Sequence, residues 1–281
     1  MNTMRKLREY LNRPLSFVMF LLIIISTVIT ALTVVFIIGY IFIKGVPNLS
    51  LDLFSLKYSS SNQSMLPSII NTVYLTALTL LLAVPIGIFS AIYLAEYSRK
   101  NSFFVKIINI ANETLSGIPS IVYGLFGFLA FVISKKWGYS LLAGVITLAI
   151  MVLPLIIRTS QEAMLGVDNT FREASYGLGA GKLRTVFKIV LPSAMPGILS
   201  GIILAIGRIV GETAALIYTA GTVPEAATKL TSSSRTISVH LYCLLNEGLY
   251  TKQAYATAVV LIVFVVIINA LSNALAKKIM K

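Results

Sequence analysis

The chain has 281 residues, 57% of them hydrophobic and 12% charged, with a mean hydropathy of +0.89. A soluble domain covers its surface with about a quarter charged residues, so an ordinary soluble protein is excluded, and so apolar a chain with only 18 Gly and 9 Pro is neither disordered nor collagen-like. The 23 Lys and Arg against 10 Asp and Glu leave a charge of +13, which in a soluble chain points to nucleic acid and in a membrane chain sets orientation.

Apolar runs long enough to cross a ~30 Å hydrocarbon core recur six times. The first, Leu15 to Ile43, holds 29 residues without a charge and follows Arg5, Lys6, Arg8 and Arg13. It is about twice the length of a signal-peptide core and no small-x-small site follows it closely, so it reads as an uncleaved anchor. The second run, Ser68 to Ala95, contains Pro85 and Gly87, and the third, Gly117 to Ser134, opens on Gly117-Ile118-Pro119. The fourth, Gly138 to Ile157, is expected to end around Pro154. The fifth, Met195 to Ala220, alone is interrupted by charge, at Arg208 and Glu212, and the sixth, Ala254 to Ala276, runs into Lys277 and Lys278.

Six crossings put both termini on one side of the bilayer. With the N-terminus inside, 15 of the 23 cations fall in cytoplasmic segments, seven fall outside, and Arg208 is left in the membrane. The expected fold is therefore all-α, a polytopic membrane helix bundle of six transmembrane helices. Residues 1–43 form the cytoplasmic N-terminus and first helix, 44–67 a Ser- and Asn-rich external loop, 68–276 a five-helix core and 277–281 a cytoplasmic tail. Two connections are long: the cytoplasmic segment Arg158 to Ala194, and the external segment Thr222 to Gln253, in which a short helix over Ser238 to Leu245 is expected. Cys243 and His240 are the sole residues of their types, too few for an internal disulfide, a His/Cys metal site or a Cys-His nucleophile pair, and no cofactor is called for.

Within the cytoplasmic segment, Thr170 followed by Glu173 has the spacing of a capping box, so a helix is expected to start there and to break at Gly177, Gly179 and Gly181. Leu183, Val186, Phe187 and Val190 then fall on one face of a second helix, opposite Lys182, Arg184 and Lys188, and Pro192 is expected to close it. A bent helix pair of this kind suits the groove of a partner. It is not a phosphate-binding loop: Tyr176 stands where the first Gly is needed, and Leu183 stands where Ser or Thr should hold Mg²⁺.

The segment 170–192 resembles the EAA loop of binding-protein-dependent ABC importer permeases through Glu173, Ala174, Gly179, Ile189, Leu191 and Pro192 at matching spacing, with Ser175 where the pattern has a second Ala. The resemblance implies a coupling helix that inserts into a cleft of a cytoplasmic ATPase, with Glu173 near the contact. Capping its own helix is the alternative role of Glu173, and the two can coexist.

Arg208 and Glu212 are four residues apart, a spacing that puts both on one face of a continuous helix. An intramembrane charge costs about 2.5–3.5 kcal/mol on insertion scales and normally marks a protein interior or an ion path. Two readings remain, a self-neutralising ion pair or an anion pathway. Arg suits bidentate oxyanion recognition, which a purely structural pair would not require. Gly197 with Gly201 and Gly207 with Gly211 form G-x-x-x-G pairs suited to close helix packing.

From about Pro67 onward the chain is similar to phosphate-specific importer permeases, and more to the PstA type of their two paired subunits. The resemblance is carried by Gly201 to Gly221 around Arg208 and Glu212, by Glu113 to Gly127 and by Ala149 to Thr159. It implies a type I ABC importer permease core, a homologous permease subunit, a cytoplasmic ATPase dimer that hydrolyses ATP in this chain's stead, an extracytoplasmic phosphate-binding protein and a cell-membrane location. It assigns Arg208 and Glu212 to the substrate pathway. An importer of another oxyanion is the near alternative. A secondary anion transporter would have no reason to keep the EAA spacing, and a membrane enzyme would need an interfacial cluster where only isolated acids such as Glu96 and Glu113 stand.

Overall fold

A computed structural model describes residues 14–98 and 102–279. The cations Arg5, Lys6, Arg8, Arg13, Arg99, Lys100 and Lys281 lie outside the described residues.

Every regular element among the described residues is helical. Helix α1 (Pro14–Gly45) is apolar on all sides, as a span bathed in lipid must be. Its Thr27, Thr30 and Thr33 hydroxyls bond back to carbonyls four residues earlier, which satisfies these three donors in hydrocarbon. It meets the rest of the chain at its far end, where Gly45 lies against Tyr255 and Val259 and the Tyr40 and Tyr255 rings meet edge to face at 6.0 Å.

Helix α2 (Leu66–Ile92) continues through a wide π-helical turn, Tyr93–Tyr97. Helix α3 (Phe103–Gly117) is followed by α4 (Ser120–Gly127), which is prolonged by a second π-helical stretch, Phe128–Ser134. Helix α5 (Leu141–Leu165) is the centre of the bundle. Its Leu148, Val152 and Ile156 are fully buried, together with Leu75 of α2, in the largest core cluster. Then come α6 (Asn169–Gly177), α7 (Lys182–Thr185) with a π-helical turn Val186–Val190, α8 (Leu191–Gly211), α9 (Ala214–Thr219), α10 (Ile237–Glu247) and α11 (Thr251–Ile279). Five helices are long and apolar enough to cross a membrane, and the bent pair α3–α4 brings the number to six when it counts as one span.

Several expectations need correction. The third span is not one helix beginning at Gly117: an amphipathic helix precedes it, and the axes of the two differ by 101°. The cause is Pro119, which bars the preceding residue from helical backbone, so Ile118 is extended at φ −71°, ψ 130°. That helix buries its apolar face, where Val105 and Ile108 pack with Leu94, Leu153 and Ile157.

The fourth span does not stop around Pro154 but runs eleven residues further, to Leu165. Leaving the apolar layer does not end a helix when side chains support it, and Arg158 Nε donates to Glu162 at 2.9 Å one turn on. Pro192 does not close a helix either, because the chain stays helical from Lys182 to Gly211. The π turn ahead of it re-pairs the backbone five residues back, Leu191 N–H to Val186 O, and Pro192 then sits in the first turn of α8, where a missing N–H is tolerated.

At one end of the bundle Asn71 fastens the chain after α9 onto α2. Its amide donates to the carbonyls of Glu225 (2.9 Å) and Arg235 (3.2 Å) and accepts from Ala227 N–H (2.8 Å). Thr72 accepts the Ile237 N–H at 3.0 Å and so fixes the start of α10. That helix covers the expected Ser238 to Leu245 and extends slightly beyond it.

Candidate substrate pathway and coupling surface

The fifth span is discontinuous. Helix α8 ends at Gly211, and Glu212 takes extended backbone at φ −71°, ψ 130° before α9 begins. Arg208 and Glu212 therefore do not share a helix face, contrary to the sequence expectation. Glu212, 8% exposed, turns its Oε1 onto the Ala215 N–H (3.0 Å) and caps the next helix, while its carbonyl accepts from the Ser238 hydroxyl at 2.6 Å. The self-neutralising ion pair, one of the two readings of the sequence, is absent among the described residues, whose ion pairs are Arg158–Glu162 and Arg172–Glu96. The half-buried Arg208 guanidinium has no hydrogen bond or ion pair to any described residue.

This break has a counterpart. Gly117-Ile118 and Gly211-Glu212 end their helices with the same cap dihedrals, and each cap N–H returns to the carbonyl three residues back at 3.2 Å. The half-helices beyond the two breaks lie side by side: a Cβ on Gly124 of α4 would stand 2.8 Å from Ala215 Cα of α9. Tyr123 donates to Leu115 O at 2.8 Å across the first break and lies within electrostatic reach of Arg208. Paired discontinuous helices free backbone groups at membrane depth, a construction that transport proteins use to line a polar path.

The four glycines divide. Gly197 and Gly201 are close-packing positions, the first 2.6 Å from Ala163 Cβ by its missing Cβ and the second against Thr159, both on α5. Gly207 and Gly211 meet nothing within 4 Å and are not packing positions within this chain. They flank Arg208 on an open side of the helix.

At the opposite end, α6 and α7 form the expected bent pair, with a different cap. Asp168 is the N-cap, accepting from the Thr170 N–H and hydroxyl at 2.9 Å each, and these two bonds hold its carboxyl below the usual carboxylate range. Thr170 and Glu173 thus do not form the capping box. Glu173 and Ala174 are exposed on the helix surface. Gly179 ends the pair's first arm at φ +80°, with Ala180 N–H returning to Ser175 O and Gly179 N–H to Tyr176 O, the reciprocal bonds of a left-handed helix stop. Leu183 and Phe187 do not share the buried face of Val186 and Val190: the latter two enter a core cluster with Met164 and Ile198, and the former two are exposed. A surface groove of about 640 Å³ lies between the arms, lined by Ala174, Leu178, Gly179, Arg184 and Ile189 among others. Leu191 is half-buried and Pro192 exposed just beyond it.

Two contacts in this lever had no sequence signal beyond residue type. Ser175 Oγ and Thr185 Oγ1 are 2.8 Å apart and buried, joining the two arms. Arg172 donates to Glu96 at the end of α2 and to the carbonyls of Met164 (2.8 Å) and Val167 (2.7 Å).

A polytopic bundle with a broken, cation-bearing span and a projecting helix pair defines the class, a membrane permease. The chain belongs to the binding-protein-dependent transport permeases: the family described as "Binding-protein-dependent transport system inner membrane component" matches residues 83–281. It is thus an ABC importer permease of the type I family, a multi-pass membrane protein. It is 36% identical to the "Phosphate transport system permease protein PstA" of Haemophilus influenzae over 78% of each chain. It is 32% identical to the "Probable ABC transporter permease protein YqgI" of Bacillus subtilis, over 82% of this chain and 84% of that one. In fold it is similar to a chain of a bacterial ABC transporter that imports the acidic polysaccharide alginate, with TM-score 0.67, 18% identity and coverage of 99% and 100%. It is also similar to a chain of the MetNI methionine ABC transporter, with TM-score 0.58, 17% identity and coverage of 76% and 94%.

Proposed function

We propose that this chain is one of two homologous membrane subunits of an ATP-driven importer of inorganic phosphate. The carrying observation is the free guanidinium of Arg208 beside a helix break, with Glu212 turned away to cap α9. A membrane-embedded cation without an internal counter-ion is an anion site by its chemistry, and the planar fork of Arg suits a tetrahedral oxyanion. Relatives named as phosphate permeases at 33–36% identity support phosphate as that anion.

In this reading both termini are cytoplasmic, residues 68–276 form the transport core and the segment 170–192 is the coupling element. A pair of cytoplasmic ATPase subunits binds the groove beside Gly179 and hydrolyses ATP, so this chain is not itself the enzyme. Their closure pushes the lever, and the lever rocks α5 and α8 through the buried contacts of Val186 and Val190. The bundle opens outward, an extracytoplasmic binding protein releases phosphate, and Arg208 holds it until the bundle reverts. ATP-dependent uptake of labelled phosphate by the four-component complex in proteoliposomes tests the assignment. Uptake of another oxyanion with phosphate excluded overturns it.

A further inference from the structure

A second arginine, Arg235, lies at the end of the bundle where Asn71 fastens the chain. Arg235 is 4% exposed, yet its Nε and Nη2 have no hydrogen-bond partner among the described residues. These two nitrogens form one edge of the guanidinium, the edge that grips a carboxylate or phosphate through two parallel hydrogen bonds. The side chain's other contacts are the face of Tyr58, 4.7 Å from the guanidinium carbon to the ring centroid, and the Cys243 sulfur. No ion pair among the described residues involves it.

His240 stands against the same ring, its centroid 6.4 Å from that of Tyr58 at 88°. It is fully buried, and the main chain of Gln63 is the sole hydrogen-bond partner within reach of its ring nitrogens among the described residues. Burial, and then the Arg235 charge, push its pKa down to about 3 against a smaller pull from the Gln63 main chain, so the ring is neutral at physiological pH. A neutral imidazole offers one N–H and one lone pair. A buried guanidinium with a bare edge is costly, and a buried imidazole with a bare lone pair adds to that cost.

We propose that Arg235 and His240 form an extracytoplasmic oxyanion subsite that loads phosphate ahead of Arg208. The guanidinium edge takes two oxygens, and the imidazole, its N–H turned to the Gln63 main chain, accepts through its lone pair from the P–OH that phosphate retains at neutral pH. Sulfate, fully deprotonated, has no proton to give that lone pair, so the pair of groups selects protonated oxyanions. The site adjoins the pathway, because Ser238, between the two residues, is bonded to the carbonyl of Glu212. Tyr58 closes it in this conformation. The Tyr58 hydroxyl bonds only within its own loop, to Gln63 Oε1 at 2.8 Å, so displacing the ring breaks no hydrogen bond to the bundle.

The proposal rests on the phosphate-import reading, and one set of variants separates the two. Uptake of labelled phosphate is measured in proteoliposomes with the full complex containing Arg235→Met, Arg235→Lys or His240→Phe. The thermal midpoint of the same complexes, without binding protein, is measured with inorganic phosphate or sulfate added. Both Arg235 variants are expected to lose about tenfold or more in uptake and to lose the phosphate-dependent rise in midpoint. His240→Phe is expected to erase the difference between phosphate and sulfate. The Lys variant keeps the charge over Tyr58 but lacks the paired N–H edge, so normal uptake by it means a purely structural arginine and overturns the proposal. A wild-type complex that imports phosphate, together with an assembled Arg235→Met complex that imports it as fast, overturns the subsite alone. A wild-type complex that imports no phosphate overturns the functional reading itself.

Discussion

Arg172 grips Glu96 across 76 residues of sequence, its Nη2 2.7 Å and its Nε 3.2 Å from the same carboxylate oxygen. The side chains are only 13% and 6% exposed, and the arginine's other donors reach the carbonyls of Met164 and Val167. One guanidinium thus joins the lever, the end of α5 and the π turn that ends α2. Removing one partner of a buried pair strands the other charge and typically costs ~3–5 kcal/mol.

Arg172→Ala is accordingly expected to lower the thermal midpoint of the purified complex and to uncouple it, with ATP hydrolysis persisting while uptake falls. Glu96→Gln keeps an acceptor for the guanidinium and is expected to be milder in both readouts. Equal ATPase-to-uptake ratios in wild type and Arg172→Ala would remove this contact from the coupling path.

Gly179 and Gly201 are glycines for different reasons, and alanine substitutions separate them. At Gly179 a Cβ meets nothing within 4 Å, so Gly179→Ala carries only the cost of the left-handed backbone, about 1–2 kcal/mol, localised in the lever. A bulky residue there adds an obstruction at the groove, and co-purification of the ATPase is expected to fail. At Gly201 the added Cβ collides with Thr159, so Gly201→Ala is expected to destabilise the bundle itself. Thermal unfolding of the detergent-solubilised complex reads the second effect, and retention of the ATPase on an affinity-tagged permease reads the first.

The buried imidazole of His240 makes stability pH-dependent. Its folded pKa of about 3 lies below the unfolded value of ~6.5, so below that value the unfolded chain binds the extra proton. The contribution is flat above about pH 7 and falls as pH drops from ~6.5 toward 3, by up to ~1.4 kcal/mol per unit. Thermal midpoints at pH 7.5 and 5 are expected to differ less for His240→Asn than for the parent. An unchanged difference would mean that another group governs the acid limb.

Lipid demands length and apolarity of whatever crosses it, which is why the runs around α1, α2, α5, α8 and α11 could be read from composition, although the far ends of α5 and α8 could not. The breaks were less legible. Pro119 announces one of them through the backbone of Ile118, but Gly211-Glu212-Thr213 contains no proline. That helix stops because Glu212 finds a better acceptor role at Ala215 N–H and because α10 supplies Ser238 to its carbonyl, a residue 26 positions away. The same holds for the lever. Asp168 outcompetes Thr170 as a cap because its carboxylate takes both the Thr170 N–H and its hydroxyl, a contest that spacing alone does not decide. Arg235 counted in the sequence as one external cation among seven, and the fold that sets Tyr58 and Cys243 against its side chain makes it a buried one.

Contact between Arg208 and the transported anion is tested by labelled-phosphate uptake in the complete complex carrying Arg208→Gln. Uptake is expected to be abolished while the permease pair still assembles and retains its ATPase. Uptake at the wild-type rate by that assembled variant would contradict that contact.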